Sequence, residues 1–341
     1  MINQLFEALY LKVFINIVVQ RSNTLIYVEM RSKKGSVEQL HKEFNTPSVN
    51  EEMVAFISTY MKETPYCYIS ILDMSPLQGV IPTCNKHKLE YYYDDIATAE
   101  YKCLDNSWSF YTSKSDIYEL EKRYESFGLD FIFSPYVVLQ HFFKDKIGKK
   151  LALYALIQDS FISLAVFEDG VLLFGDHLDL ETTDDAEDML LSANIEEDVE
   201  LELDEGIDLE EIDVEDDEIE SLDDFSDIED LDSIEDIDEF SEDKDLEEEL
   251  LESEEVLQES SDDRFNEDYQ RFSLIQASIG KYYKDERYES RFIENIYIAD
   301  GIGVSRDLKK YLEDEMFFNV YIRHTDIAVE ICELAKEELG I

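Results

Sequence analysis

Residues 181–263 hold 43 Asp and Glu and a single base, Lys244. With carboxylates at about half the positions, self-repulsion and low packing potential favour disorder in isolation. A folded core must therefore come from the two flanks. Of the chain's 83 acids and 29 bases the flanks keep 40 and 28, spread over 258 of the 341 residues. That length supports one large or two moderate domains. The chain's 21 Tyr and 20 Phe, against 5 Pro and 11 Gly, give it apolar surface to bury. The formal net charge of −54 is thus a property of one segment, and its field excludes non-specific binding to nucleic acid, because it repels phosphates and anionic lipid alike.

Within the acidic tract Ile219, Leu222, Phe225, Ile228, Leu231, Ile234, Ile237 and Phe240 recur at every third position. An α-helix turns about 100° per residue, so side chains spaced by three wind round the cylinder and no apolar face forms. Three readings are open. The tract is a solvated insertion that adds solubility; or it is a recognition segment that orders on a basic, grooved protein surface, the eight apolar residues supplying affinity and the acids supplying on-rate; or it buffers divalent cations. It lacks the D-x-[DN]-x-[DN]-G loop of a defined calcium site.

Four cysteines, Cys67, Cys84, Cys103 and Cys332, form no C-x-x-C pair. They are expected to be small buried thiols in a reducing cytoplasm. His41, His87, His141, His177 and His324 include no H-x-x-x-H pair, so no metal site is expected. The first twenty residues, MINQLFEALYLKVFINIVVQ, lack a basic start and carry Glu7 and Lys12 within the apolar stretch. No signal peptide, membrane span or direct membrane insertion is expected, and the chain reads as cytoplasmic, peripheral at a membrane only through partners.

Along the flanks the pattern predicts strands over 13–19 and 25–30, a helix over 51–61 capped by Asn50, and a strand over 66–72. A helix is predicted over 115–127. Apolar strands over 151–158 and 160–167 lead through an Asp169-Gly170 turn to a strand over 171–180. After the tract, a helix over 265–283, a strand over 292–299, a Gly301/Gly303 turn, a helix from a Ser305 cap to about 314, a strand over 319–322 and a helix over 326–339 close the chain. The expected class is α/β: residues 1–150 form one half, residues 151–180 and 264–341 the other, and residues 181–263 an insertion.

This order of pieces resembles the actin-like ATPase superfamily of duplicated ribonuclease-H-like domains. Residues 152–180 (ALYALIQDSFISLAVFEDGVLLFGDHLDL) and 295–322 (NIYIADGIGVSRDLKKYLEDEMFFNVYI) look like its branch containing the type IV pilus assembly protein PilM and the cytoplasmic domain of the type II secretion protein GspL. In that superfamily two D-x-G hairpins cradle the nucleotide phosphates, and a Gly-rich strand end contacts adenosine. Here the first hairpin offers Asn16 and Val18, the second Leu156 and Gln158, so both carboxylates and both glycines are missing. Gly301 and Gly303 are what survives of a cofactor site. No cofactor is expected, and Asp159 and Asp300 read as ordinary turn residues.

The resemblance implies a non-catalytic scaffold that assembles with protein partners of a membrane-bound pilus, type II secretion or DNA-uptake apparatus. Two alternatives stand beside it. One is a nucleotide-dependent ATPase with Asp159 and Asp300 as substitute ligands; the other is an acidic interaction module carried on an idle fold. The basic loop of Lys144, Lys146, Lys149 and Lys150 offers a surface on which the tract could dock in cis and autoinhibit.

Overall fold

The computed structural model describes residues 11–93, 95–180, 261–288, 291–304 and 306–341. Residues 181–260 of the acidic tract, with its eight spaced apolar residues, and Ser305 lie outside them.

Two five-stranded sheets repeat one topology. In the first, β1 (Lys12–Val19) pairs antiparallel with β2 (Thr24–Ser32) and β2 with β3 (Gly35–Phe44), while β4 (Cys67–Leu72) and β8 (Phe131–Phe133) add in parallel on the other side. In the second, β9 (Ala152–Ile157), β10 (Phe161–Glu168) and β11 (Val171–Asp179) take the places of β1, β2 and β3. There β12 (Asn295–Asp300) and β13 (Asn319–His324) take the places of β4 and β8. The strand order 3-2-1-4-5, with only the second strand antiparallel to its neighbours, is the ribonuclease-H-like topology. Its duplication is the actin-like fold.

The central strands explain the apolar runs seen in the sequence. Every residue of β9 is buried, as are the six inner residues of β1, because both faces of each sheet are covered. Alternation divides the faces. Val13, Ile15 and Ile17 meet Met53 and Ile57 of α1 (Glu51–Met61); Leu153, Ala155 and Ile157 meet Ile275 and Ile279 of α5 (Ser261–Lys284) and Leu308 and Leu312 of α6 (Arg306–Asp314). The opposite faces, through Phe14, Val18, Tyr154 and Leu156, share one core between the sheets.

That shared core holds two helices that have changed places. α4 (Pro135–Phe142) follows the first sheet yet packs on β9 and β10, while α7 (Ile327–Glu338) follows the second sheet and packs on β1, β2 and β4. Each sheet is thus covered by the closing helix of the other half. A buried ion pair marks the exchange, Lys336 Nζ of α7 standing 3.0 Å from Glu29 Oε2 of β2. Tyr27 donates its hydroxyl to the same oxygen at 3.2 Å.

Local signals behave as expected where the chemistry is local. Asn50 accepts the Met53 N–H at 2.8 Å and starts α1. Asp169 and Gly170 both have positive φ, 48° and 79°, the two-residue turn whose twist matches a hairpin. The tract enters between β11 and α5, the place taken in the first half by the short link from β3 to α1. β3 itself was not foreseen, because most of its residues are exposed and no alternation marks it.

A third, antiparallel sheet, ordered β5 (Gln78–Ile81), β7 (Trp108–Ser113), β6 (Ala99–Leu104), is inserted after β4 together with α2 (Lys86–Tyr92). α3 (Lys114–Arg123) then leads to β8. The expectation of four buried thiols is corrected here: Cys84 and Cys103 are joined in a disulfide, their Cα atoms 5.5 Å apart. The spacing of 19 residues carries no sign of it, since the pairing depends on β6 and the end of β5 flanking the same strand. Cys67 and Cys332 are free.

Candidate functional site

The two hairpins that correspond to phosphate loops end in two-residue turns. Gln20 donates its N–H to the Asn23 carbonyl at 2.8 Å, and Gln158 donates to the Phe161 carbonyl at 3.0 Å. The turns are thus Arg21-Ser22 and Asp159-Ser160, which makes Gln20 the counterpart of Gln158 and Val18 the counterpart of Leu156. Matching Asn16 to Leu156 and Val18 to Gln158 is therefore corrected by two residues. A two-residue shift leaves the inside-outside alternation unchanged, so sequence alone cannot detect it.

Several groups at this end of the molecule are met from within the chain, while Asn23 Oδ1, Asp159 Oδ1 and the hydroxyls of Ser160 and Thr325 are buried without a hydrogen-bond partner. Asn16 is fully buried, accepting the Ser70 hydroxyl at 2.7 Å and donating to the Tyr27 carbonyl at 3.2 Å. The turns touch: the Arg21 N–H donates to Asp159 Oδ2 at 2.7 Å. Gln158, 1 % exposed, lays its carboxamide over Gly301, where a β-carbon would stand 1.8 Å from Nε2. Asp300 accepts the N–H groups of Ile302, Gly303 and Val304 at 3.0, 2.8 and 2.9 Å, so the loop wraps its own carboxylate. Gly303 supplies the positive φ of 78° that this wrap needs. A cavity of about 390 Å³ remains beside the turns, lined by Gln20, Gln158, Gly301, His41 and the start of α7, where Asp326 caps the helix and meets His41 Nε2 at 2.8 Å.

The other concave region was not found from sequence. Among the described residues β6 and β8 each pair with one neighbour only, and both strands line the same groove of about 490 Å³. Phe110, Phe133 and Val137 contribute apolar lining, and four carboxylates, Asp73, Glu100, Asp130 and Glu338, stand around it against one base, Lys102. Lys102 lies 3.5 Å from Glu338. Burial pushes the Asp73 carboxyl up, opposed by hydrogen bonds from Ser75 and Thr112. Asp130 accepts the Ile69 N–H at 2.8 Å. An adjoining cavity of about 650 Å³ shares Leu104, Val137 and Glu338 and continues along α4 and α7. There His141 Nδ1 is 2.9 Å from Glu330 Oε2, and this hydrogen bond holds the imidazole above its ordinary range despite burial.

His177, and Lys144 of the basic loop, are met by neighbouring side chains. His177 Nδ1 lies 2.9 Å from the Ser163 hydroxyl, and burial pushes the ring down to about 4. Lys144 pairs with Glu337 at 3.7 Å. Among the described residues no cluster of His, Cys, Asp and Glu is placed to hold a metal ion, and no helix is long and apolar enough to cross a membrane.

A family model described as Domain of unknown function (DUF8341) matches residues 153–340, and another, Domain of unknown function (DUF8569), matches residues 10–140. No curated protein matches the sequence. Among solved structures the chain is similar to a Bacteroides thetaiotaomicron protein with actin-like ATPase fold and unknown function, at 12% identity and TM-score 0.43 over 94% of this chain and 96% of that one. It is also similar to the PilM-PilN type IV pilus biogenesis complex, at 11% identity and TM-score 0.43 over 93% of this chain and 89% of that one. Ethanolamine utilization protein EutJ from Carboxydothermus hydrogenoformans shares 9% identity, with TM-score 0.32 over 94% and 89%.

Proposed function

The chain belongs to the family described as Domain of unknown function (DUF8341), and from that premise we propose that it is a non-catalytic cytoplasmic scaffold that holds an extended segment of a partner protein. The observation that carries this reading is the closure of the phosphate end. The Arg21–Asp159 hydrogen bond joins the two turns, and Gln158 fills the space over Gly301. Phosphoryl transfer is mostly positioning and metal electrostatics, and here Val18 and Leu156, both buried and apolar, occupy the strand positions that would have to carry ligands.

Docking falls instead to the groove. Two strand edges that are unpaired among the described residues offer backbone donors and acceptors to an added strand, and four carboxylates around aromatic walls favour a segment that alternates basic and apolar residues. The setting proposed is a membrane-associated pilus, type II secretion or DNA-uptake assembly, and it rests on the motif resemblance of residues 152–180 and 295–322.

Calorimetric titration of the full chain tests both parts. Magnesium-ATP is expected to give no heat of binding at millimolar concentration; tight binding would overturn the scaffold reading. A decapeptide of alternating valine and lysine is expected to bind, and to lose at least tenfold in affinity when Glu100→Lys and Asp130→Lys reverse charges that line the groove.

A further inference from the structure

We infer that the Cys84–Cys103 disulfide is a redox latch on the wall of the docking groove, opened by a cellular dithiol. The latch rests on the groove being the docking surface, and deepens that reading. Cys103 stands on β6 between Lys102 and Leu104, and Glu100, Tyr101, Lys102 and Leu104 of that strand line the groove. Cys84 lies just past β5, its Sγ 3.1 Å from the Trp108 carbonyl oxygen. The bond therefore runs over the start of β7 and ties the groove's edge strand to the far strand of its own sheet.

Besides the pairing of β6 with β7, the segment that the bond closes is held mainly by surface contacts. α2 buries only Leu89. The segment's contacts from outside include the stacking of Tyr93 on Tyr111, centroids 4.2 Å apart, Tyr92 against Tyr288, Arg287 donating to the carbonyls of Tyr91 and Tyr92 at 3.4 and 3.3 Å, Lys114 Nζ donating to the Ala97 carbonyl at 2.9 Å, and the Lys102–Glu338 pair. The bond is also reachable, since Cys103 is exposed and Cys84 half-buried. The two free thiols are unsuited to interfere: burial pushes both Cys67 and Cys332 up to about 12, which keeps them protonated and slow to attack. In the cytoplasm, where the proposed function puts the chain, accessible disulfides are turned over by dithiol reductants and persist mainly as catalytic or sensing bonds.

The step balances with a dithiol as reductant. One of its thiolates attacks Cys103 Sγ, the S–S bond breaks, and Cys84 leaves as thiolate. The second thiol of the reductant then resolves the mixed disulfide. Two protein thiols form, the two protons coming from the reductant, which departs as a disulfide.

The full chain, oxidised with glutathione disulfide and then treated with dithiothreitol, supplies the test. Thiol titration is expected to count two thiols before reduction and four after; four before reduction would overturn the latch. On reduction, amide exchange across β6 is expected to rise at least tenfold while β9 is unchanged, and emission from Trp108, the single tryptophan, is expected to rise as the quenching disulfide is removed. The valine-lysine decapeptide is expected to bind the reduced form at least fivefold more weakly. A Cys84→Ser/Cys103→Ser variant should reproduce the reduced state without reductant, and reduction of the unaltered chain gives the same reading if that variant does not fold. Unchanged β6 exchange would make the bond a passive staple and overturn the latch, leaving the docking reading in place. Responsive β6 exchange with no peptide binding in either form would support the latch and remove the docking reading.

Discussion

The end of the molecule where the two turns meet and the groove between β6 and β8 are both built from strand ends and short connections, but they finish differently. At the turns Asn16 is spent on Ser70 and Tyr27, Asp300 on three backbone N–H groups, and Gln158 on the Ile157 carbonyl and the space over Gly301. At the groove two strands keep an edge without a neighbour among the described residues. Buried backbone and side-chain polar groups demand partners, so the turn end, which has spent these groups internally and keeps Asp159 Oδ1 and the Ser160 and Thr325 hydroxyls without partners, has less to offer a ligand than an open edge, which recruits one. The lesson is that ancestry of fold and availability of a site are separate questions.

α7 joins the two regions, with Asp326 at the cavity beside the turns and Glu338 at the groove, so the comparison can be strained from its middle outward. The largest effect is expected from Lys336→Met, which leaves Glu29, 2 % exposed, without its cation. Removing one partner of a buried pair costs about 3 kcal/mol here, measurable by urea denaturation, and both regions should loosen together because they share the helix. A cost under about 1 kcal/mol would mean that Tyr27 and Arg31 hold Glu29 unaided.

Next comes Gly301→Ala, whose new methyl group would collide with Gln158; overpacking of this kind costs about 2 kcal/mol. Adding Gln158→Ala should recover most of the loss, and a double-mutant cycle without coupling would show that the plug over Gly301 is not what closes this end. Asp326→Ala removes the cap that accepts the N–H groups of Ala328 and Val329, for about 1 kcal/mol. Hydrogen exchange should report fraying at the turn end of α7 and leave the groove end protected.

The smallest effects are pH slopes of opposite sign. His141 is held above its ordinary value of 6.5, so its stabilisation is complete below that pH and is lost as pH rises through the folded value. His141→Gln should flatten that loss in thermal melts. His177 is held at about 4, so its neutral state stabilises above 6.5 and stability falls as pH drops from 6.5 towards 4. A His177→Asn variant should lose this acid-side slope alone.

Legibility followed the range of the interaction. β1 and β9 could be read as apolar runs because both faces are buried, and Asn50 and Asp169-Gly170 because a cap and a hairpin turn are decided within four residues. β3 was missed because its exposed residues carry no alternation, and the third sheet because its strands are short and paired across an insertion. The register of the first hairpin was placed two residues off for want of any signal that distinguishes the two settings. Gly301 and Gly303 do lie at the expected loop, but the side chain over Gly301 could not be foreseen.

By itself, then, the sequence determined a duplicated α/β architecture and the place where 83 acid-rich residues enter it. These are properties of composition, periodicity and nearest neighbours along the chain. Tertiary structure alone decided that α4 and α7 exchange sheets, that Cys84 meets Cys103, that the two turns close on each other, and that β6 and β8 face one groove. Each of these joins groups distant in sequence, and such contacts are set by which surfaces pack together in the folded chain, a choice that no local pattern encodes.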